Sequence, residues 1–308
     1  MCNMLRALVP ASADTTGWRV DQVSERISPT VRWRKVARAL RRWRTETGLR
    51  LEDVCAPLGW ATSKLSRMER AEQTIGPAEV IALATVYGIG EQARDRHVAL
   101  ALQSRQKGWW APYKVGDAIP EDFEEFVGLE SEASWVRSYE DMVVNGLLQT
   151  EAYAAALIRA WLPRVRDHAV EKRVRLRMAR QDRLHDQAPL RLDCVLTEAA
   201  LRQQVGGPEV MREQLRHLLD VMELPHVSVQ VMPFVAGAYP AQNCPFRLLS
   251  FPDPEDPAVA CIEYPGGEVY VEDAEDAERF ILVFDGLKQQ ALGPSESAEL
   301  IRKIAEAQ

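Results

Sequence analysis

The chain has few of the residues and runs that mark disulfide-linked, metal-binding or membrane-spanning proteins. Five cysteines occur in 308 residues, an odd number with no C-x-x-C spacing, which argues against a disulfide framework or a zinc site and indicates a reducing compartment. No stretch approaches the roughly 18 apolar residues that cross a bilayer, and the first residues lack the basic start and long apolar centre of a secretory signal. We therefore expect a cytoplasmic protein without membrane contact.

The signatures of common catalytic centres are also missing. The sequence contains no G-x-S-x-G nucleophile motif and no phosphate-binding glycine loop. The four histidines after residue 110 show no metal-ligand spacing such as H-x-x-x-H; they are His168, His185, His217 and His226. We expect no enzyme activity, no metal site and no cofactor.

Charge is distributed unevenly along the chain, although the net charge is only −7. Residues 1–110 carry +7 and the remainder carries −14, and within residues 26–70 basic side chains exceed acidic ones by eight. A basic amino-terminal part followed by an acidic part indicates that the first meets phosphate and the second has another role.

Helical spacing and helix-breaking residues divide the chain into two folded domains. Pro29 opens the first predicted helix and Gly48 ends it, while Pro77 and Gly88 bracket the fourth. Glycine and proline cluster at the domain junction, and strands and helices then mix without strict alternation. The predicted order is a flexible arm (1–28), an all-α five-helix helix-turn-helix domain (29–106, the head), a linker (107–120) and a larger α+β domain (121–308, the body).

Hydrophobic periodicity gives the expected elements of the body. Six aromatic side chains at helical or strand positions are expected in its core: Phe123, Phe126, Trp135, Tyr139, Tyr153 and Trp161. Helices are predicted over 121–138, 151–161, 169–185, 198–204, 208–222, 274–287 and 295–307, and strands over 191–196, 227–231, 246–251, 259–263 and 268–271.

One body helix is dense in positive charge, and its interpretation stays open. Arg173, Arg177 and Arg180 share a helix face at i, i+4 and i+7. The functional interpretation is a contact with an anion, a partner or a second stretch of DNA. The alternative, which we favour, is a helix whose charges are solvated or paired within the acidic body.

Residues 45–70 form the most informative stretch, reading TETGLRLEDVCAPLGWATSKLSRMER. Two short helical patterns meet at a turn that contains Gly59, and Val54, Leu58, Leu65 and Met68 supply the apolar contacts between them. A polar, cationic face is left outward on the second helix, as in a recognition helix over about 62–71 that enters the major groove of DNA. The predicted DNA-binding residues are Thr62, Ser63, Lys64, Ser66 and Arg67 on that helix, with Arg41, Arg42, Arg50 and Arg70 at the phosphates.

These residues resemble the helix-turn-helix domain of phage-repressor-like (XRE) regulators. The resemblance covers Gly48-Leu49, Leu58-Gly59, Ser63 and the run Leu65-Ser66-Arg67, together with Glu52 and Glu69. The chain departs from that pattern at Leu51, where a glutamine is frequent, at Pro57, at Ala61 and at Ala71, where glycine is usual.

Nearly all of the body resembles a second group, the WhiJ-like regulators of actinobacteria, in which an XRE head precedes a large domain of unknown function. The resemblance rests on several segments in the same order, among them 126–139, 143–153, 173–184, 196–207 and 227–234, with Asn145 in place of a usual proline. It implies a transcriptional regulator, in some cases antitoxin-like, that is encoded beside a gene for a small protein partner. It supplies no catalytic residues.

Two hypotheses on function follow, with a third as a weaker possibility. The first is a homodimeric regulator that binds double-stranded DNA and is controlled through the body by a small protein partner from an adjacent gene. The alternative is a repressor or activator whose body is the receptor for a small molecule. A body with enzymatic activity is the third.

Overall fold

The computed structural model describes residues 29–113, 121–161, 166–253, 256–264 and 267–308. The predicted arm over 1–28 and half of the predicted linker lie outside these ranges. The described helices are α1 (Pro29–Glu46), α2 (Leu51–Leu58), α3 (Thr62–Glu69), α4 (Pro77–Val86), α5 (Glu91–Gln103), α6 (Glu121–Glu132), α7 (Glu151–Trp161), α8 (Asp167–Gln181), α9 (Glu198–Arg202), α10 (Pro208–Val221), α11 (Ala274–Gln290) and α12 (Pro294–Glu306); the strands are β1 (Trp135–Glu140), β2 (Arg191–Thr197), β3 (Val227–Met232), β4 (Phe246–Ser250), β5 (Val259–Tyr264) and β6 (Gly267–Val271).

The head consists of α1–α5, closed around one apolar core, as predicted. Leu40 and Trp43 of α1 are buried in this core beside Leu65 and Met68 of α3. The helix bounds follow the stop signals of the sequence, with one correction: α3 ends at Glu69 rather than at residue 71. Ala71 has a φ of +55°, a left-handed conformation that cannot continue a right-handed helix.

The body is built on one mixed six-stranded sheet with the strand order β3-β2-β1-β4-β5-β6. β1, β2 and β3 are parallel, and helical crossovers connect them, α7–α8 between β1 and β2 and α9–α10 between β2 and β3. β4, β5 and β6 add antiparallel neighbours. The α+β class of the body is therefore confirmed.

Alternating side chains of the strands give the sheet two buried faces. Val136, Leu192 and Val229 belong to the larger core, to which α6, α7, α10 and α12 contribute. Tyr139 and Phe246 lie in a second core beneath α11. Two covered faces explain why the strands read as apolar runs as well as alternating patterns.

The predicted helix over 121–138 is wrong at its carboxyl end. α6 stops at Glu132, and Trp135–Glu140 form β1, the central strand that pairs with β2 on one side and β4 on the other. The helical spacing of Phe123, Phe126 and Trp135 continues past the end of α6 by coincidence. Hydrogen bonding of β1 to β2 and β4 stabilises a strand there instead. The expectation of a buried Trp161 is also wrong, because 51 % of that side chain is exposed, whereas Phe126, Tyr139 and Tyr153 are buried as expected.

The positive helix of the body, α8, uses several of its charges within the body. Arg180 is buried and makes a two-pronged salt bridge with Glu130 of α6, with N···O distances of 2.7 and 2.8 Å. Arg177 donates to the Gln149 side chain at 2.7 Å, and Arg183, two residues past the end of α8, donates to the Ala133 carbonyl oxygen at 2.9 Å. Burial and the neighbouring Arg180 guanidinium lower the pKa of Arg177 to about 10, so its guanidinium stays charged at neutral pH. These contacts favour the alternative in which the charges of this helix are paired within the body.

No helix in the described ranges is both long and apolar enough to cross a membrane.

Candidate nucleic-acid interface

The two helices of the predicted reading element meet at a tight turn. Gly59 ends α2 in a left-handed conformation, with φ +63° and ψ +29°, and its amide donates to the Ala56 carbonyl oxygen. A residue with a Cβ is disfavoured there, which explains the glycine. Cys55 is buried beside the turn, and burial raises the pKa of its thiol. Cys55 therefore acts as a small packing residue beside the turn.

An ion pair between the half-buried Arg44 and the buried Glu69 fixes α3 against α1. The Arg44 guanidinium donates to both oxygens of Glu69, at 2.7 and 2.8 Å, and its third nitrogen donates to the Leu49 carbonyl oxygen at 3.0 Å. The hydrogen bonds that Arg44 donates to Glu69 raise the pKa of the Arg44 guanidinium. Burial, together with the nearby Glu69 carboxylate, raises the pKa of Tyr87. Since two-pronged pairing has a fixed geometry, this contact orients α3 relative to the rest of the head.

The outward face of α3 is polar and cationic. Ser63, Ser66, Arg67 and Arg70 recur at i, i+3, i+4 and i+7 and are exposed or half-buried. Arg67 is exposed, and its Nε donates to the Ser63 carbonyl oxygen at 3.3 Å. Arg70 donates to Ser66 Oγ and to the Glu72 carboxylate, which holds this guanidinium at the carboxyl end of the face. This arrangement keeps Arg67 at the centre of the surface.

Lys64 lies at the flank of this face rather than at its centre. Its Nζ is 4.0 Å from the centre of the Trp60 ring and 3.5 Å from Glu79 Oε1. The other carboxylate oxygen of Glu79 accepts a hydrogen bond from the Gly76 amide at the start of α4. Lys64 is thus drawn toward α4 by a cation–π contact and an ion pair.

The remaining predicted residues surround α3. Thr62, the first residue of α3, is half-buried, while Arg41, Arg42 and Arg50 are exposed. Arg50 precedes α2, and the Asp53 carboxylate accepts from its amide at 3.0 Å and from its Nε at 3.3 Å, which lowers the pKa of Asp53. Arg42 lies 3.9 Å from Glu46. The predicted residues therefore lie on α3 or on the elements that border it.

Sequence reasoning did not find the contacts that position this surface. It used Glu69 only as part of a motif and gave no role to Arg44, Trp60 or Glu79, since their partners are distant in sequence or on the next helix. Glu69 carries a usable signal, because a carboxylate on the apolar side of a short helix requires a buried partner.

In the described part of the chain no cluster of three or more histidine, cysteine, aspartate or glutamate side chains has the geometry to hold a metal ion. The four described cysteines that are free of disulfides are Cys55, Cys194, Cys244 and Cys261.

A short bihelical unit that presents a polar, cationic helix defines a helix-turn-helix protein. Residues 35–97 match the family model of a helix-turn-helix domain, which supports a DNA-binding regulator. Residues 123–303 match the family model of a domain of unknown function, DUF5753. The chain belongs to this DUF5753 family. It has no significant match among curated proteins or among solved structures.

Proposed function

We propose that the protein is a sequence-specific transcriptional regulator that places α3 in the major groove of double-stranded DNA. The observation that carries this proposal is the exposed face of Ser63, Ser66 and Arg67 on a helix whose orientation is fixed by the Arg44–Glu69 pair. Arginine at the centre of such a face suits the O6 and N7 atoms of guanine, and serine hydroxyls suit base edges or phosphate.

The surrounding cations suit the DNA backbone. Arg41, Arg42, Arg50 and Arg70 are exposed around α3 and supply the charge that attracts phosphate without reading sequence. Lys64 has to leave Trp60 and Glu79 to reach a base, so we assign the leading base contact to Arg67.

One head reads few base pairs, so we propose that the regulator binds as a homodimer. Two heads on a pseudo-palindrome, with half-sites about one helical turn apart, give the geometry usual for this class. We further propose that the body controls DNA binding through a small protein partner encoded by an adjacent gene, in the manner of antitoxin-like WhiJ relatives. The resemblance of the body segments supports this control, and we propose no enzymatic role.

The second candidate is a small-molecule receptor in the body. A ligand that binds only the native protein raises its thermal stability by mass action, whereas a protein partner co-purifies with the chain. The distinction is therefore between a metabolite-dependent melting temperature and a stable complex with the neighbouring gene product.

Replacing Arg67 by alanine is expected to weaken binding to the preferred DNA site by about 1–3 kcal/mol, because a good base contact is lost. Lys64→Ala is expected to cost less, since Trp60 and Glu79 already hold that side chain. Both are measured by fluorescence anisotropy on a site selected from random duplexes, with Arg159→Ala on the body as the control. Wild-type affinity of the Arg67 variant would show that α3 is not the reading helix.

Replacing Arg41 and Arg42 together by alanine is expected to weaken binding to all DNA sequences to a similar extent. Each lost phosphate contact makes the slope of log affinity against log salt shallower by about 0.9. A salt titration on the selected site and on a scrambled duplex measures both effects. A loss confined to the selected site would instead place these arginines at bases.

A further inference from the structure

The basic side of α1 is longer than DNA binding alone explains. Arg34, Arg38 and Arg41 recur at i, i+4 and i+7, and Lys35 and Arg42 adjoin them. These five cations form one stripe, in which Arg34 and Arg41 are about 10 Å apart along the helix axis. The carboxyl end of the stripe is exposed, and its amino end is covered by the body.

The body meets the amino end of the stripe with three carboxylates, Glu125, Asp256 and Glu272, which we name the acidic seat. Lys35 Nζ is 2.6 Å from one oxygen of Asp256, and Arg38 Nη2 is 2.7 Å from the other. Arg38 Nη1 also lies 3.8 Å from Glu272.

Arg34 joins the acidic seat from the centre of the contact. It pairs with Glu125 on α6 and with Glu272, and its guanidinium lies 5.3 Å from the centre of the Tyr270 ring. The seat therefore draws on α6, on the chain between β4 and β5, and on the residue after β6.

The centre of this contact is withdrawn from water. Only 8 % of the Arg34 and Asp256 side chains is exposed, whereas the other four side chains are 27–36 % exposed. A buried charge is stable only with its partner, so loss of the carboxylates favours separation of the two surfaces over burial of unpaired cations. The contact between α1 and the body thus depends on charge at the acidic seat.

From this geometry we propose that the acidic seat is an autoinhibitory latch that competes with DNA phosphate for the basic stripe of α1. The proposal rests on the proposed DNA-binding function. While the latch is closed, Arg34, Lys35 and Arg38 neutralise carboxylates of the body and are withheld from DNA. When it opens, the whole stripe faces the backbone, and the acidic body, with its negative charge, moves away from the phosphates.

The latch leaves the outward face of α3 accessible, since Ser63 and Arg67 are exposed while the seat is occupied. Closing it therefore weakens the sequence-independent part of binding and retains recognition. A signal that reaches the body can change DNA affinity at this contact without covering the recognition helix.

The test neutralises the acidic seat in the full-length chain with Glu125→Gln, Asp256→Asn and Glu272→Gln. The matched control removes three exposed carboxylates elsewhere on the body with Glu151→Gln, Glu171→Gln and Glu275→Gln, which gives the same change in net charge. Affinity for a 20-base-pair random-sequence duplex is measured from 50 to 200 mM KCl. The radius of gyration without DNA is measured by small-angle X-ray scattering.

Three cations released to phosphates make the slope of log affinity against log salt steeper by about 2.7. The ratio of the affinity at 50 mM salt to that at 200 mM salt is therefore expected to be about 40-fold larger for the seat variant than for wild type. The seat variant is also expected to have a larger radius of gyration, and the control to match wild type in both measurements. A second variant, Arg34→Gln with Lys35→Gln and Arg38→Gln, is expected to expand in the same way without a steeper salt dependence, because none of the three cations that would be released is present.

Two results would overturn the latch. If the seat variant has the same radius of gyration as the control, the carboxylates do not hold the head against the body. If it has a larger radius of gyration but the salt dependence of wild type, the stripe does not contact DNA. Absence of DNA binding by wild type and both variants at 50 mM salt refutes the proposed function itself, whereas the scattering comparison still decides whether the seat holds α1.

Discussion

Replacing Arg180 by alanine is expected to destabilise the body by about 3–5 kcal/mol, because Glu130 would remain buried without its partner. Both side chains are 4 % exposed, and two hydrogen bonds join them. Urea unfolding followed by hydrogen–deuterium exchange reports the body through peptides of β2 and the head through peptides of α4. The loss of stability is expected in the β2 peptides and not in the α4 peptides.

A paired replacement separates the lost partner from the lost packing. Arg180→Met together with Glu130→Leu removes both charges and keeps apolar bulk beside Phe123 and Phe126, which lie against the Arg180 guanidinium. This double variant is expected to recover most of the stability. Equal losses in the single and double variants would mean that packing of the arginine, and not its charge, holds α8 to α6.

Replacing Glu69 by alanine is expected to destabilise the head by about 1.5–3 kcal/mol, because two hydrogen bonds to a charged group are lost, and to abolish specific DNA binding under conditions in which the body stays folded. Arg44 would lose its two-pronged partner, and α3 would lose the contact that fixes its angle to α1. Exchange protection of α4 peptides measures the first effect, and anisotropy on the selected site measures the second.

Glu72→Ala is the matched control for Glu69→Ala. Glu72 is an exposed carboxylate three residues further on, and its partner Arg70 is exposed as well, so its removal is expected to leave the stability of the head close to that of wild type. A Glu69 variant as stable as this control would contradict the role of the Arg44–Glu69 pair in positioning α3.

The architecture of the head was predictable because its signals are local. Gly59 and Pro77 mark a turn and a helix start from chemistry confined to a few residues, and the apolar spacing of Val54, Leu65 and Met68 indicates which sides pack. Ala71 shows the limit of motif matching: its φ of +55° explains why glycine is usual there, although nothing in this sequence marks the conformation.

The body was less predictable because a sheet depends on pairing between distant segments. Trp135 of β1 pairs with Arg191 on one side and Ser250 on the other, and neither contact is visible in the sequence around residue 135. Helical periodicity therefore extended the predicted helix to residue 138, across most of this strand. The order of the strands in the sheet could not be predicted from the sequence either, although the bounds of most strands were predicted to within two residues.

Side-chain partners were the least predictable part of the site. The charge count of the head treats its cations as one phosphate-binding surface, yet Arg44 is bound to Glu69, Lys64 to Glu79, and Lys35 to Asp256. The sequence could place Ser63 and Arg67 on the reading face, because helical geometry fixes them there. It could not distinguish the cations that face solvent from those that hold the domains together.

The most direct test is footprinting of the purified full-length chain on its own promoter region, with and without the proposed protein partner. A discrete protected site, lost in the Arg67→Ala variant and altered by the partner, is the predicted result. Protection that is discrete but indifferent to the partner would favour the small-molecule receptor. No protected site at low salt, and none in a chain whose acidic seat is neutralised, would contradict a regulator that reads DNA through α3.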